Sequence, residues 1–103
     1  MISVTENRPI LLVEDDAKDI LFTLHALQKS QVRNDVIVVR DGFEALDYLF
    51  ETGKFAGHET MLPEVVLLDL SMPIVGGIKI LEQIRGAART HDLPVIAMIS
   101  PGR

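Results

Sequence analysis

Ile10-Leu11-Leu12-Val13-Glu14-Asp15-Asp16 decides how the rest of the chain is read. Four apolar residues stop abruptly at three acids. A short, continuous apolar run of this kind fits a strand buried on both faces, and such strands belong to parallel sheets. Three more runs match it: Val36-Ile37-Val38-Val39, Val65-Val66-Leu67-Leu68 and Val95-Ile96-Ala97-Met98-Ile99.

Segments of helical period lie between the runs. Over 17–29, Ile20, Leu24 and Leu27 share one face with Leu21 beside them, and Asp16 is placed to cap the helix. Over 42–51 the stripe is Phe43, Leu46, Leu49 and Phe50. Asp41 caps that helix, Glu44 completes a capping box, and Gly53 suits its C-terminal end. Over 77–89 the stripe is Ile78, Leu81, Ile84 and Ala88, with Arg85 and Arg89 near the negative end of the helix dipole. The stretch 52–63 reads as a polar surface loop. Strands alternating with helices in this way predict an α/β fold: a parallel sheet with right-handed crossovers and helices on both faces.

Composition narrows the function. The chain has 103 residues, enough for one small domain, and 48% of them are hydrophobic, which excludes a disordered chain. The apolar runs reach at most five residues, against roughly 20 for a membrane-spanning helix. There is no Cys, so disulfides and thiolate metal sites are excluded. The first eight residues lack the features of a signal peptide, which makes the cytoplasm the expected compartment. Ten basic residues against fifteen acidic ones give a net charge of −5 with no basic stripe, so binding to nucleic acid is not expected.

Chemistry is expected outside the carboxyl ends of the strands. The first strand ends at Glu14-Asp15-Asp16 and the third at Asp69. A βαβαβ path brings these two strands side by side, so their carboxylates converge. Crowded carboxylates raise one another's pKa, and such a cluster persists with a shared proton, a divalent cation or a basic side chain. Oxygen ligands alone suit Mg²⁺, which would also neutralise an Asp attacking phosphorus. Against this stands a plainer reading, in which the acids at 14–16 cap a helix and Asp69 forms a turn. The separate occurrence of both features favours the functional reading. His25, His58 and His91 are scattered and do not form a metal site. Lys79 reads as a solvated side chain, and Tyr48 as a surface or groove residue.

Taken together, Ile10-Leu11-Leu12-Val13-Glu14-Asp15-Asp16, Val39-Arg40-Asp41-Gly42-Phe43-Glu44-Ala45-Leu46, Val66-Leu67-Leu68-Asp69-Leu70-Ser71-Met72-Pro73, Gly76-Gly77 and Leu93-Pro94-Val95-Ile96 resemble the receiver domain of two-component response regulators. Gln31-Val32-Arg33-Asn34 and the long 52–63 loop are similar to the stand-alone receivers that serve bacterial phytochrome kinases. The resemblance implies a flavodoxin-like doubly wound sheet of strand order 2-1-3-4. It implies that Asp69 accepts a phosphoryl group from a phosphohistidine on a sensor histidine kinase. Asp15 would contact Mg²⁺ directly, Glu14 through water, and the Ser71 backbone carbonyl would complete the protein ligands, with Asp16 left as a cap. Such a domain is not an enzyme beyond its own Mg²⁺-assisted phosphorylation and slow dephosphorylation.

The chain also departs from that family. Counted from Pro94, the Ser or Thr that contacts the phosphoryl group falls at Ile99, with Ser100 one position later. Either the fourth strand carries an extra residue and Ser100 makes the contact, which is the preferred reading, or Ile99 fills the site. Gly76 stands where an Asp is common. Residues 1–103 are read as a single receiver domain stopping after the fourth strand, without the family's fifth strand, its Lys and its last helix. An open fourth-strand edge and an apolar first helix, with Leu21 or Phe22 exposed, predict a homodimer. The competing function is a receiver-like interaction module that is never phosphorylated. An aspartyl-phosphate phosphatase would want Asp where Ser71 stands, and a dinucleotide fold would want glycines where Glu14-Asp15-Asp16 stand.

Overall fold

The computed structural model describes residues 8–73 and 76–99. Four parallel strands form one sheet: β1 (Ile10–Val13), β2 (Val36–Val39), β3 (Val65–Asp69) and β4 (Val95–Met98). Their order is β2-β1-β3-β4, as the family resemblance implied. Register is even across the sheet. Val13 stands opposite Val39 on one side and Leu68 on the other, and Asp69 stands opposite Met98.

Alternation along the strands sorts the core into two layers. Leu11, Val13, Val66 and Leu68 point to one face, where they meet Ala45, Tyr48 and Leu49 of α2 (Gly42–Phe50) and Ile80 and Ile84 of α3 (Gly77–Gly86). Ile10, Leu12 and Leu67 point to the other, where Ile20, Leu24 and Leu27 of α1 (Ala17–Lys29) cover them. The central strands are buried almost throughout, whereas β2 and β4 are only partly covered. Among the described residues, no helix is long and apolar enough to cross a membrane.

The expected caps form. The Asp16 side chain accepts from the Asp19 amide at 3.0 Å, and that of Asp41 accepts from the Glu44 amide at 2.8 Å. Glu44 reaches back to the amide of Arg40, one residue before the cap, at 3.3 Å.

Several expectations need correction. Phe43 and Ile78 belong to no buried stripe: they are 61% and 60% exposed. Each is the second residue of its helix and projects away from the buried side, which runs through Gly42, Ala45 and Leu49 in α2 and through Gly77, Ile80 and Ile84 in α3. Tyr48 is buried, because its hydroxyl finds the Met61 carbonyl at 2.9 Å and its ring packs edge-on against Phe55 at 5.3 Å. α2 ends in a left-handed Glu51, and Gly53, also left-handed, opens a 3-10 turn (Gly53–Phe55) inside the presumed loop.

α3 stops at Gly86, three residues early. Gly has the weakest helix propensity after Pro, and Thr90, almost fully buried, takes up the Ile84 carbonyl at 2.6 Å. Arg85 then bonds the carbonyls of His91 and Leu93. Arg89 leaves the helix altogether: its guanidinium holds the carbonyls of Leu49 and Thr60 and lies 3.6 Å from Glu51.

Candidate functional site

Residues Glu14 and Asp15 follow β1 directly, and Asp69 is the last residue of β3. Because β1 and β3 are neighbours in register, the three carboxylates meet at one end of the sheet. Ligand oxygens of Glu14, Asp15 and Asp69 all lie within 4.8 Å of one another. This is the one such convergence of acids and histidines among the described residues. Asp69 is fully buried, Glu14 is 2% exposed, and Asp15 is half-buried at the mouth.

Backbone bonds fix the walls. The Glu14 amide donates to Val39 O at 3.0 Å, and the Leu70 amide donates to Met98 O at 2.8 Å, so both acid-bearing strand ends are tied to their flanking strands. Asp69 Oδ1 accepts from the Ser71 amide at 2.7 Å, and Glu14 Oε2 accepts from the Asp16 amide at 3.2 Å. Arg40, the first residue past β2, donates from Nη2 to the Asp15 carbonyl at 2.9 Å. Gly77 packs against the back of the site. A Cβ there would lie 2.7 Å from Leu70 Cα and 3.1 Å from Asp69 O, which is why α3 starts with a glycine.

Burial pushes the Glu14 carboxyl up from 4.5 to about 7. A hydrogen bond and the negative charge of Asp69 push the same way, against the Asp16 amide, which favours the ionised form. Without a cation, the Glu14 carboxyl therefore keeps its proton well above the usual carboxylate range. The donor set is all oxygen, partly preformed and open on the Asp15 side. A small hard divalent cation fits it: such an ion binds through one or two carboxylates and keeps its remaining positions for water or phosphate oxygens.

The structure thus brings Glu14, Asp15 and Asp69 together, and it places Asp16 as the cap of α1. Ser71 is half-buried and touches Asp69 through its amide. Ser100 lies outside the described residues. Ile99 is 76% exposed. Lys79 and the three histidines are exposed, and His91 Nδ1 sits 3.0 Å from Asp92. Sequence reasoning passed over Arg40 and the packing of Gly77. Both stood inside the quoted motifs, and a basic residue ending a strand beside an acidic strand end was the available signal.

Comparison with known proteins agrees with this geometry. Residues 10–101 match the family described as the response regulator receiver domain. Response regulator Rcp1 of Synechocystis is 30% identical over 89 residues, 86% of this chain and 59% of Rcp1. The chain therefore spans less than two thirds of the length of that curated relative. The solved bacteriophytochrome response regulator AtBRR superposes with a TM-score of 0.87 at 46% identity, over 95% of this chain and 70% of AtBRR. The phosphorylated cyanobacterial phytochrome response regulator RcpA gives 0.80 at 34% identity, over 95% and 69%. The Mn²⁺-bound form of Rcp1 gives 0.81 at 28% identity, over 93% and 68%. With its strand order, its converging acids and a match that runs from β1 past β4, the chain belongs to the response regulator receiver domain family of two-component signalling.

Proposed function

We infer that this domain accepts a phosphoryl group on Asp69 from a phosphohistidine of a sensor histidine kinase. The observation that carries this reading is the convergence of Glu14, Asp15 and Asp69 at the ends of adjacent central strands. A carboxylate oxygen of Asp69 attacks phosphorus as the N–P bond breaks; the leaving nitrogen keeps the bonding pair, and the ring departs as neutral imidazole because its other nitrogen carries a proton. Water later cleaves the acyl phosphate and regenerates Asp69. Burial excludes bulk water from the nucleophile, and the Ser71 amide on Oδ1 holds the carboxylate in one orientation. Asp15 and Asp69 would hold Mg²⁺, with Glu14 acting through water and the Ser71 carbonyl completing the protein ligands. The ion would supply charge neutralisation for two groups that otherwise repel. Ser100 is the residue read as contacting the bound phosphoryl group.

The phytochrome-type response regulators among the relatives support a photoreceptor kinase as the donor. Output is by protein–protein contact, in the cytoplasm, from residues 1–103 acting as one receiver unit. Self-association is part of this reading. On β4, Ile96 is 55% exposed and Ile99, just beyond it, 76%. On α1, Leu21 and Phe22 are 69% and 76% exposed beside a surface hollow of about 550 Å³. A second copy pairing along β4 and α1 would cover both surfaces, and sedimentation at rising concentration tests it.

Acetyl phosphate with Mg²⁺, followed by intact mass, tests the central claim. One phosphoryl adduct on the wild type and none on Asp69→Asn is the expected result. No adduct on a folded, Mg²⁺-binding wild type would favour the interaction module instead.

A further inference from the structure

The β1 ladder ends before the site does. Its last rung is the Glu14 amide on Val39 O. Asp15 lies one residue further on, and its carbonyl is taken up by a side chain of the neighbouring strand end: Arg40 Nη2, at 2.9 Å. Arg40 stands one position past Val39, which is the register partner of Val13, so it is the side chain best placed to reach across. It is anchored in turn, since its amide donates to Glu44 Oε1 at 3.3 Å and Glu44 Oε2 pairs with Lys54 at 2.9 Å. On the other side of the same peptide, the Asp16 amide donates to Glu14 Oε2 at 3.2 Å. The peptide plane after Asp15 is thus gripped from both directions, and its orientation sets where the Asp15 carboxylate points.

We propose that Arg40 is a positioning residue for the cation site: it holds the Asp15 backbone so that the Asp15 carboxylate faces Glu14 and Asp69. This rests on the reading of those three acids as a divalent-cation site. It also makes a prediction of opposite sign to simple electrostatics. Arg40 carries a positive charge near a cation site, so charge alone says that removing it tightens cation binding. Positioning says that removing it weakens binding, by roughly 10-fold, the lower end of what outer partners of metal ligands contribute.

Calorimetric titration with Mn²⁺ and with Mg²⁺ decides between them. Arg40→Gln is expected to bind roughly 10-fold more weakly than wild type, with Arg40→Lys in between because it keeps one donor. Lys79→Gln removes an exposed charge from the first turn of α3 without touching the Asp15 peptide or the groups that anchor Arg40, and is expected to bind at least as tightly as wild type. In an Asp15→Asn background, Arg40→Gln is expected to add little further loss. Urea unfolding without metal confirms that each variant is folded at the titration temperature. Unchanged or tighter binding by Arg40→Gln would overturn the proposal, as would an equal loss in the Asp15→Asn background. A wild type that binds neither ion would overturn both the proposal and the cation site beneath it.

Discussion

Gly77→Ala offers a direct check on how α3 seats against the site. The added methyl would sit 2.7 Å from Leu70 Cα and 2.7 Å from Leu70 Cδ2, whereas carbon atoms pack comfortably at about 3.5–4.0 Å. Leu70 Cδ2 belongs to a flexible side chain and swings away at little cost. Leu70 Cα is backbone, held by the bond from its own amide to Met98 O. The start of α3 must therefore lift by nearly the whole shortfall. Overpacking of this kind costs about 1–3 kcal/mol, and the helix propensity of Ala returns at most about 1 kcal/mol. A net loss of about 1–2 kcal/mol follows. Gly86→Ala is the control: it too is helical, nothing lies within 4 Å of its Cβ position, and it is exposed. That change is expected to be neutral or to stabilise by up to about 1 kcal/mol. Urea unfolding of the two variants beside wild type is the assay. Gly77→Ala as stable as Gly86→Ala would refute the reasoning. So would a double-mutant cycle with Leu70→Ala that erases the whole penalty, because then only the movable side chain was in the way.

Further expectations concern the acids and the core. Saturating Mg²⁺ at neutral pH should raise the unfolding free energy, by about 2.7 kcal/mol at 100 times the dissociation constant, and Asp15→Asn should lose most of this gain in thermal melts. In metal-free buffer the raised carboxyl of Glu14 makes the folded state the tighter proton binder. Its stabilising contribution is full below 4.5 and is lost as pH rises through about 7. That is a loss of roughly 3 kcal/mol at most, and Glu14→Gln should flatten this part of a stability–pH profile. Tyr48→Phe leaves the Met61 carbonyl without its donor and should cost about 1 kcal/mol in chemical unfolding.

What could be read without coordinates was whatever depends on local pattern. Continuous apolar runs marked all four strands to within a residue, and Asp16 and Asp41 marked two helix starts, because a cap is a contact across three residues. The three acids were legible because each ends or follows a run. Helix faces were less so. Phe43 and Ile78 have the right period, but a buried glycine leaves no hydrophobic mark, so the pattern did not show that Gly42 and Gly77 begin the packed side of each helix. Tyr48 and Arg89 find their partners in Met61, Leu49 and Thr60, across a loop whose path no repeat encodes. The Arg40 bond to Asp15 spans 25 residues and exists only because the first two strands pair in register.

The burial gradient across the sheet has a consequence for timing. Strands β1 and β3 are covered on both faces, while β2 and β4 are not. Local opening therefore begins at the flanks, and the amides of the central pair exchange with solvent last, near the limit set by global unfolding. The acids hang from that slowest-exchanging pair. Their scaffold stays in place through every smaller fluctuation, so a chemical event at Asp69 cannot be relayed by bending the strands beneath it. It has to be expressed in the faster periphery, above all in the half-covered strand β4, whose Met98 carbonyl is bonded to the residue next to Asp69.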